Sequence, residues 1–147
     1  MNHLESTKTA AKIGTADTAT DATFTHSIDT LGYDYASVDV VFEAGTATTQ
    51  DLALAILLAQ SDDNTTFANI TEFVGGGSGG FTIPTSTLTD ASNIARFNLD
   101  MRGRKRYLKV SATPADDSVV CSVVRLGKAE VGPVSAADVG VAAVVSG

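Results

Sequence analysis

The sequence has no tryptophan, three tyrosines, three prolines and a single cysteine, Cys121. One cysteine excludes a scaffold stapled by disulfides. No run of 18 apolar residues occurs, so no segment is long enough to span a bilayer as a helix, and a membrane is not an expected partner. Positive charge is scarce: Lys+Arg number 10 against 17 Asp+Glu, for a net charge of -7. An acidic surface repels phosphate, which sets nucleic acid aside as a partner. The polar opening over residues 1–12 lacks the apolar stretch of a secretory leader, so no secretory route is expected. The two formal glycosylation sequons, Asn64-Thr65-Thr66 and Asn69-Ile70-Thr71, then read as accidents of a Thr-rich chain.

What is present is a background of Ala, Gly, Ser, Thr and Val, with 44% apolar and 18% charged residues. That balance is not the low-hydrophobicity, high-charge signature of disorder. A chain of 147 residues fits one domain with its own core. Small and β-branched residues favour strands, tight turns and close backbone packing over a helical bundle.

Hydrophobic periodicity places the strands. Phe24, His26 and Ile28 alternate with Thr25 and Ser27. Ala36, Val38, Val40 and Phe42 alternate with Tyr35, Ser37, Asp39 and Val41. Residues 51–60 place Leu52, Leu54, Ile56 and Leu58 at period two; a helix remains open here, because short apolar runs are ambiguous. Residues 67–74 resume a strand-like pattern. The run Gly75-Gly76-Gly77-Ser78-Gly79-Gly80 holds no regular element and reads as a flexible tip. Residues 81–83 restart a strand that Pro84 confines to an edge. Ala95, Phe97, Leu99 and Met101 alternate with Arg96, Asn98 and Asp100. Leu108, Val110 and Ala112 alternate with Tyr107, Lys109 and Ser111. A Val-rich strand over 118–126 follows and is expected to end at Gly127.

About eight short strands with turn signals between them predict an all-β fold, an antiparallel β-sandwich that is jelly-roll-like, with extended N- and C-terminal arms. The expected division is an arm over 1–21, the sandwich over 22–127 and a tail over 128–147. The expected core is Val38, Val40, Phe42, Leu54, Ile56, Phe97, Leu99, Leu108, Val110 and Val123. The arm has only Leu4 and Ile13 as apolar anchors, so it is expected to order against a partner.

Catalytic chemistry finds little to use. Neither His3 nor His26 sits near another ligand type at metal spacing, and zinc needs three or four convergent groups. Cys121 sits among valines and reads as a small buried hydrophobe rather than a thiolate nucleophile. The acidic turns Asp62-Asp63-Asn64 and Asp116-Asp117 lack the spacing of a calcium loop. The glycine run lacks the Lys-Ser/Thr of a phosphate loop. No catalytic residue, cofactor site or metal site is expected, and the chain reads as a non-enzyme. One feature departs from this background. Arg102, Arg104, Lys105, Arg106 and Lys109 are half of the basic residues. They map to a hairpin turn around Gly103. It is either a charged guard on a sticky hairpin or a docking patch for an acidic protein surface.

Four phrases carry a family resemblance: Ser27-Ile28-Asp29-Thr30-Leu31-Gly32-Tyr33-Asp34-Tyr35-Ala36, Gln60-Ser61-Asp62-Asp63-Asn64-Thr65-Thr66-Phe67, Arg102-Gly103-Arg104-Lys105-Arg106-Tyr107-Leu108-Lys109-Val110 and Arg125-Leu126-Gly127-Lys128-Ala129-Glu130. With the strand pattern, they resemble the capsid decoration, or cement, proteins of tailed bacteriophages, over residues 22–133. The resemblance implies a β-sandwich on the outer surface of the virion, a homotrimer, and the major capsid protein as partner. It offers no active-site residues. Arg102, Arg104, Lys105, Arg106, Leu4 and Ile13 are the candidate interface residues. Two other readings stay open: a carbohydrate- or receptor-binding sandwich of a tail or spike, and a head–tail joining protein.

Overall fold

A computed structural model describes residues 7–14, 23–42, 56–75, 78–81, 93–113, 119–129 and 140. They form eight strands: β1 (Thr7–Ile13), β2 (Phe24–Asp29), β3 (Tyr33–Phe42), β4 (Leu57–Ser61), β5 (Ala68–Val74), β6 (Asn93–Asp100), β7 (Tyr107–Ala112) and β8 (Val120–Ala129). They make two four-stranded sheets, ordered β1-β8-β3-β6 and β2-β7-β4-β5. Every pairing is antiparallel. β1 pairs with β8, β2 with β7, β3 with β6 and β4 with β5. Those are the rungs of one long antiparallel ribbon. Rolling that ribbon also brings β3 beside β8 and β4 beside β7, which is the jelly-roll arrangement.

The alternating faces meet between the sheets. Val38, Val40, Leu58, Leu108, Val110, Val124 and Leu126 are fully buried there, with Phe42, Ile56, Phe97 and Leu99 packed around them. Phe97 meets Phe73 and Phe81 edge-on, closing the side of the core near β5 and β6. Of the expected core, Leu54 lies outside the described residues. Val123 is a correction: it is only half-buried and faces outward, while Val120, Ser122, Val124 and Leu126 face in. From Val119 to Val124 every residue but Ser122 is apolar, so alternation could not choose a face. A serine takes an inner place because His26 Nδ1 and Ser122 Oγ hydrogen-bond at 3.2 Å, which satisfies both buried groups. Cys121 accordingly sits on the outer face, half-buried.

Four boundaries also differ from the sequence reading. Residues 7–13 are not a free arm. They pair along their whole length with β8, and Ala10 packs on the core. Of the run 51–60, residues 57–60 are strand, and 51–55 lie outside the described residues. β8 runs through Gly127 to Ala129 rather than ending there. The basic segment is not a hairpin within one sheet. β6 and β7 belong to opposite sheets, so residues 101–106 arch across the end of the sandwich. Alternation gives the face of each strand but not its sheet, and both geometries share one pattern. Met101 is buried under the arch. Gly103 takes φ +80, a left-handed conformation that suits glycine, and the Arg104 amide donates to the Met101 carbonyl at 3.0 Å. This arch is tied to its neighbour between β2 and β3. The Met101 amide donates to the Asp34 carbonyl, and the Thr30 amide donates to the Arg106 carbonyl. Gly140 lies against the Thr9 backbone, where a Cβ would collide with the Thr9 carbonyl.

Candidate functional site

The arch carries Arg102, Arg104, Lys105 and Arg106, and each meets an acidic partner of its own chain, whereas Lys109, on β7, lies over the Phe67 ring. Arg102 bonds Asp100 at 2.6 Å, Lys105 reaches Asp62 at 2.7 Å, Arg106 bonds Asp29 at 2.6 Å and Arg104 approaches Glu72 at 3.4 Å. The guanidinium groups also lie over rings: Arg102 over Tyr35, Arg104 over Phe73 and Arg106 over Tyr107. The Arg102 hydrogen bond holds the Asp100 carboxyl down to about 2. The Arg106 hydrogen bond lowers Asp29 in the same way. The docking-patch reading required unmatched positive charge. Here any acidic surface must displace carboxylates already bound to this turn. The acidic turn is used internally too. Asp63 Oδ1 accepts from Ser61 Oγ and from the Thr65 and Thr66 amides, which holds its carboxyl well below the usual range. Among the described residues no group of three His, Cys, Asp or Glu side chains converges to hold a metal ion.

The second charged site was missed by the sequence reading, which placed Asp39 and Arg96 separately toward solvent. Asp39 is on the outer face of the first sheet yet only 5% exposed. Arg96, directly opposite on β6, donates through Nε at 2.6 Å and Nη2 at 2.9 Å. Arg125 donates from β8 at 2.8 Å. Two arginine side chains thus lie over the carboxylate from both flanking strands. The Arg96 bond chiefly, with Arg125 adding to it, lowers the Asp39 pKa against the opposing effect of burial. The signal in the sequence was an acid in an otherwise apolar strand. Its partners needed the register.

Register lays out the whole outer face of this sheet in cross-strand rows. From the arch end they run Thr7–Gly127–Tyr35–Asp100, then Thr9–Arg125–Ser37–Asn98, then Ala11–Val123–Asp39–Arg96, then Ile13–Cys121–Val41–Ile94. The last row is apolar in all four strands. Ile13 and Ile94, at its two ends, are 73% and 63% exposed. Ile13 was a candidate interface residue from sequence, and the structure puts it here. Leu4, its companion, lies outside the described residues. At the opposite end Gly127 leaves a cleft of about 420 Å³ beside Tyr35.

Behind the apolar row the buried His26–Ser122 pair lies next to an exposed contact between the sheets. Lys12, on the inner side of β1, reaches across to the second sheet and donates to the Thr25 carbonyl at 2.6 Å. Burial lowers the His26 pKa, and the nearby Lys12 charge lowers it further. His26 is therefore the neutral partner of Ser122 at neutral pH.

No protein-family model matches the chain, and no curated protein matches it.

Proposed function

We propose that this chain is a capsid decoration protein that binds the outside of a phage head and braces contacts between major capsid subunits. The observation that carries the reading is the exposed apolar row Ile13–Cys121–Val41–Ile94 with Ala11 and Val123 beside it. Two water-exposed isoleucines at the ends of a paired apolar row, with half-buried Cys121 and Val41 between them, suit burial against another protein. The face is held by strand pairing on all four strands and needs little reordering to dock, so little of its apolar burial is lost to entropy. β1 borders this row and is the edge strand of its sheet. Many such modest contacts, repeated over one lattice, hold by avidity. In this reading the protein is a homotrimer on the shell, and the arch contributes fold stability rather than steering charge, because its cations are matched internally.

The test is a reconstruction of heads assembled with and without the chain. Density over the outer lattice with the chain, and its loss without it, supports decoration. Normal heads with a missing neck or tail structure point instead to a joining or tail component. Removing residues 1–21 is not a clean test, because it would strip β1 from the sheet and expose the β8 edge.

A further inference from the structure

We infer that the outer face of the first sheet recognises a protein surface that sets a carboxylate beside an apolar patch, with Arg125 and Arg96 taking the carboxylate and the row from Ile13 to Ile94 taking the patch. The inference deepens the decoration reading and rests on it for which protein supplies that surface.

The charge balance at the centre of the face carries it. At the arch each cation has a carboxylate of its own. At the centre Arg96 and Arg125 share Asp39. Among the described residues neither arginine has a second acidic partner, so one positive charge is left over. That surplus stands on a chain whose net charge is -7. It is also within reach of a partner. The two arginine side chains are 58% and 52% exposed, while the acid they share is buried beneath them.

Hydrogen bonding identifies the open cation. Arg96 commits Nε and Nη2 to the two Asp39 oxygens. Arg125 touches Asp39 through Nη1 alone. Its Nε–H and Nη2–H remain, and on a guanidinium that pair forms the parallel fork that fits a carboxylate. One surplus charge matches one carboxylate. A phosphate backbone brings more negative charge than the surplus neutralises and offers nothing apolar to the neighbouring row.

The placement joins the two features. Arg96 and Ile94 are two residues apart on β6 and share a face, as do Asp39 and Val41 on β3. Arg125 reaches toward them from β8. A surface lowered onto Ile94 and Ile13 therefore sets its neighbouring groups against the guanidinium groups. Docking also removes the water that screens an exposed ion pair, which strengthens a matched contact. A neutral or cationic neighbour would cover the surplus charge without a partner, and that costs affinity.

The experiment is an amide NMR titration of the full chain with acetyl-Leu-Asp-Leu-amide and with acetyl-Leu-Asn-Leu-amide, two peptides that differ by one charge. The expected result is millimolar binding of the Asp peptide, with shifts centred on Val41, Ile94, Arg96 and Arg125. It should bind at least threefold more tightly than the Asn peptide at low salt, and the margin should shrink at high salt. Arg125→Gln leaves Asp39 its two bonds to Arg96 and should erase the preference. Asp39→Asn should enlarge it, because both cations then lack a carboxylate, whereas a merely structural cluster gives no gain. Equal affinity for the two peptides, binding of neither, or a preference that survives Arg125→Gln overturns the inference. So do shifts on this face that follow protein concentration instead of peptide, which would assign it to a second copy of the chain. Rebinding to heads assembled without the chain reads decoration separately. Arg125→Gln should occupy the lattice at least threefold more weakly than the parent at low salt, and parent-like occupancy overturns the inference while decoration stands. A parent that prefers the Asp peptide but fails to bind heads overturns decoration and leaves the carboxylate site standing.

Discussion

The two ends of the first sheet's outer face share the same four strands in one register, and they differ in almost every other respect. At one end Ile13, Cys121, Val41 and Ile94 present an apolar row to water. At the other, Thr7, Tyr35 and Asp100 surround the gap left by Gly127. Between them Asp39 binds Arg96 and Arg125 and separates the two. The contrast teaches that facing outward is not a single environment. An apolar end is suited to a flat protein partner. The other end leaves a gap beside Tyr35 where Gly127 has no side chain. The charged centre keeps the two from merging into one patch.

The largest expected effect removes the support common to both ends. Leu126 is fully buried beneath Arg125 and Gly127. Leu126→Ala should cost about 2–5 kcal/mol in urea unfolding, from lost burial and the cavity left behind. Apolar end and cleft should fail together, whereas a cost under about 1 kcal/mol would show that the core beneath the face is loosely packed.

Next comes the centre. Asp39→Asn removes the charge that accepts three arginine hydrogen bonds. The arginines above it are half exposed, so water takes over part of the loss, and about 1–2 kcal/mol is expected. The folded-state pKa of Asp39 is depressed. Its stabilisation is therefore complete above the ordinary value of 3.8 and is lost as pH falls through the lower folded value. Asp39→Asn should flatten that acid limb of the stability curve. An unchanged limb would assign it to other carboxylates.

A smaller effect should separate the ends by pH. His26 and Lys12 lie behind the apolar row. Burial lowers the His26 pKa below 6.5, so the unfolded chain takes up the proton more readily. Stability is therefore full above 6.5 and declines as pH drops toward the folded value. Hydrogen exchange should show β1 and β2 loosening first in mild acid, with His26→Gln removing the response. Equal loosening at both ends would contradict this placement.

The smallest effect is expected at the arch. Arg104, Lys105 and Arg106 changed together to Ser should leave the unfolding midpoint within a few degrees of the parent at moderate salt. Exposed ion pairs are weak and screened over about 8–10 Å. Head binding that collapses in this variant, but only at low salt, would restore the arch to the interface.

Much of this fold was legible in the residues themselves. Val38, Val40, Phe97, Leu99, Leu108 and Val110 alternate with polar neighbours, and each lies in the core as its spacing predicts. Where alternation failed, two inner faces were possible, as in Val120-Cys121-Ser122-Val123-Val124. Strand-to-sheet assignment was also out of reach, which is why residues 101–106 read as a hairpin rather than an arch. Residues 7–13 read as an arm because Thr7, Lys8, Thr9 and Lys12 dilute their apolar pattern. Their order comes from seven pairings with β8 rather than from their own hydrophobicity. The candidate sites were legible only in part. Ile13 was singled out as an anchor, but its row-mates Val41, Cys121 and Ile94 come from three other strands. Asp39, Arg96 and Arg125 span 86 residues of chain between the acid and its further partner, and only register brings them together. The Gly127 cleft is defined by an absent side chain between strands far apart in sequence.

The account rests most heavily on the apolar end as the surface that meets the shell. The direct measurement is rebinding of purified protein to heads assembled without it, comparing the parent chain with the Ile13→Ser/Ile94→Ser variant. Both positions are exposed, so the variant should fold and unfold like the parent. The account predicts that it occupies the lattice at least tenfold more weakly and fails to restore the heads' resistance to heat. Parent-like occupancy and protection by the double variant would contradict it.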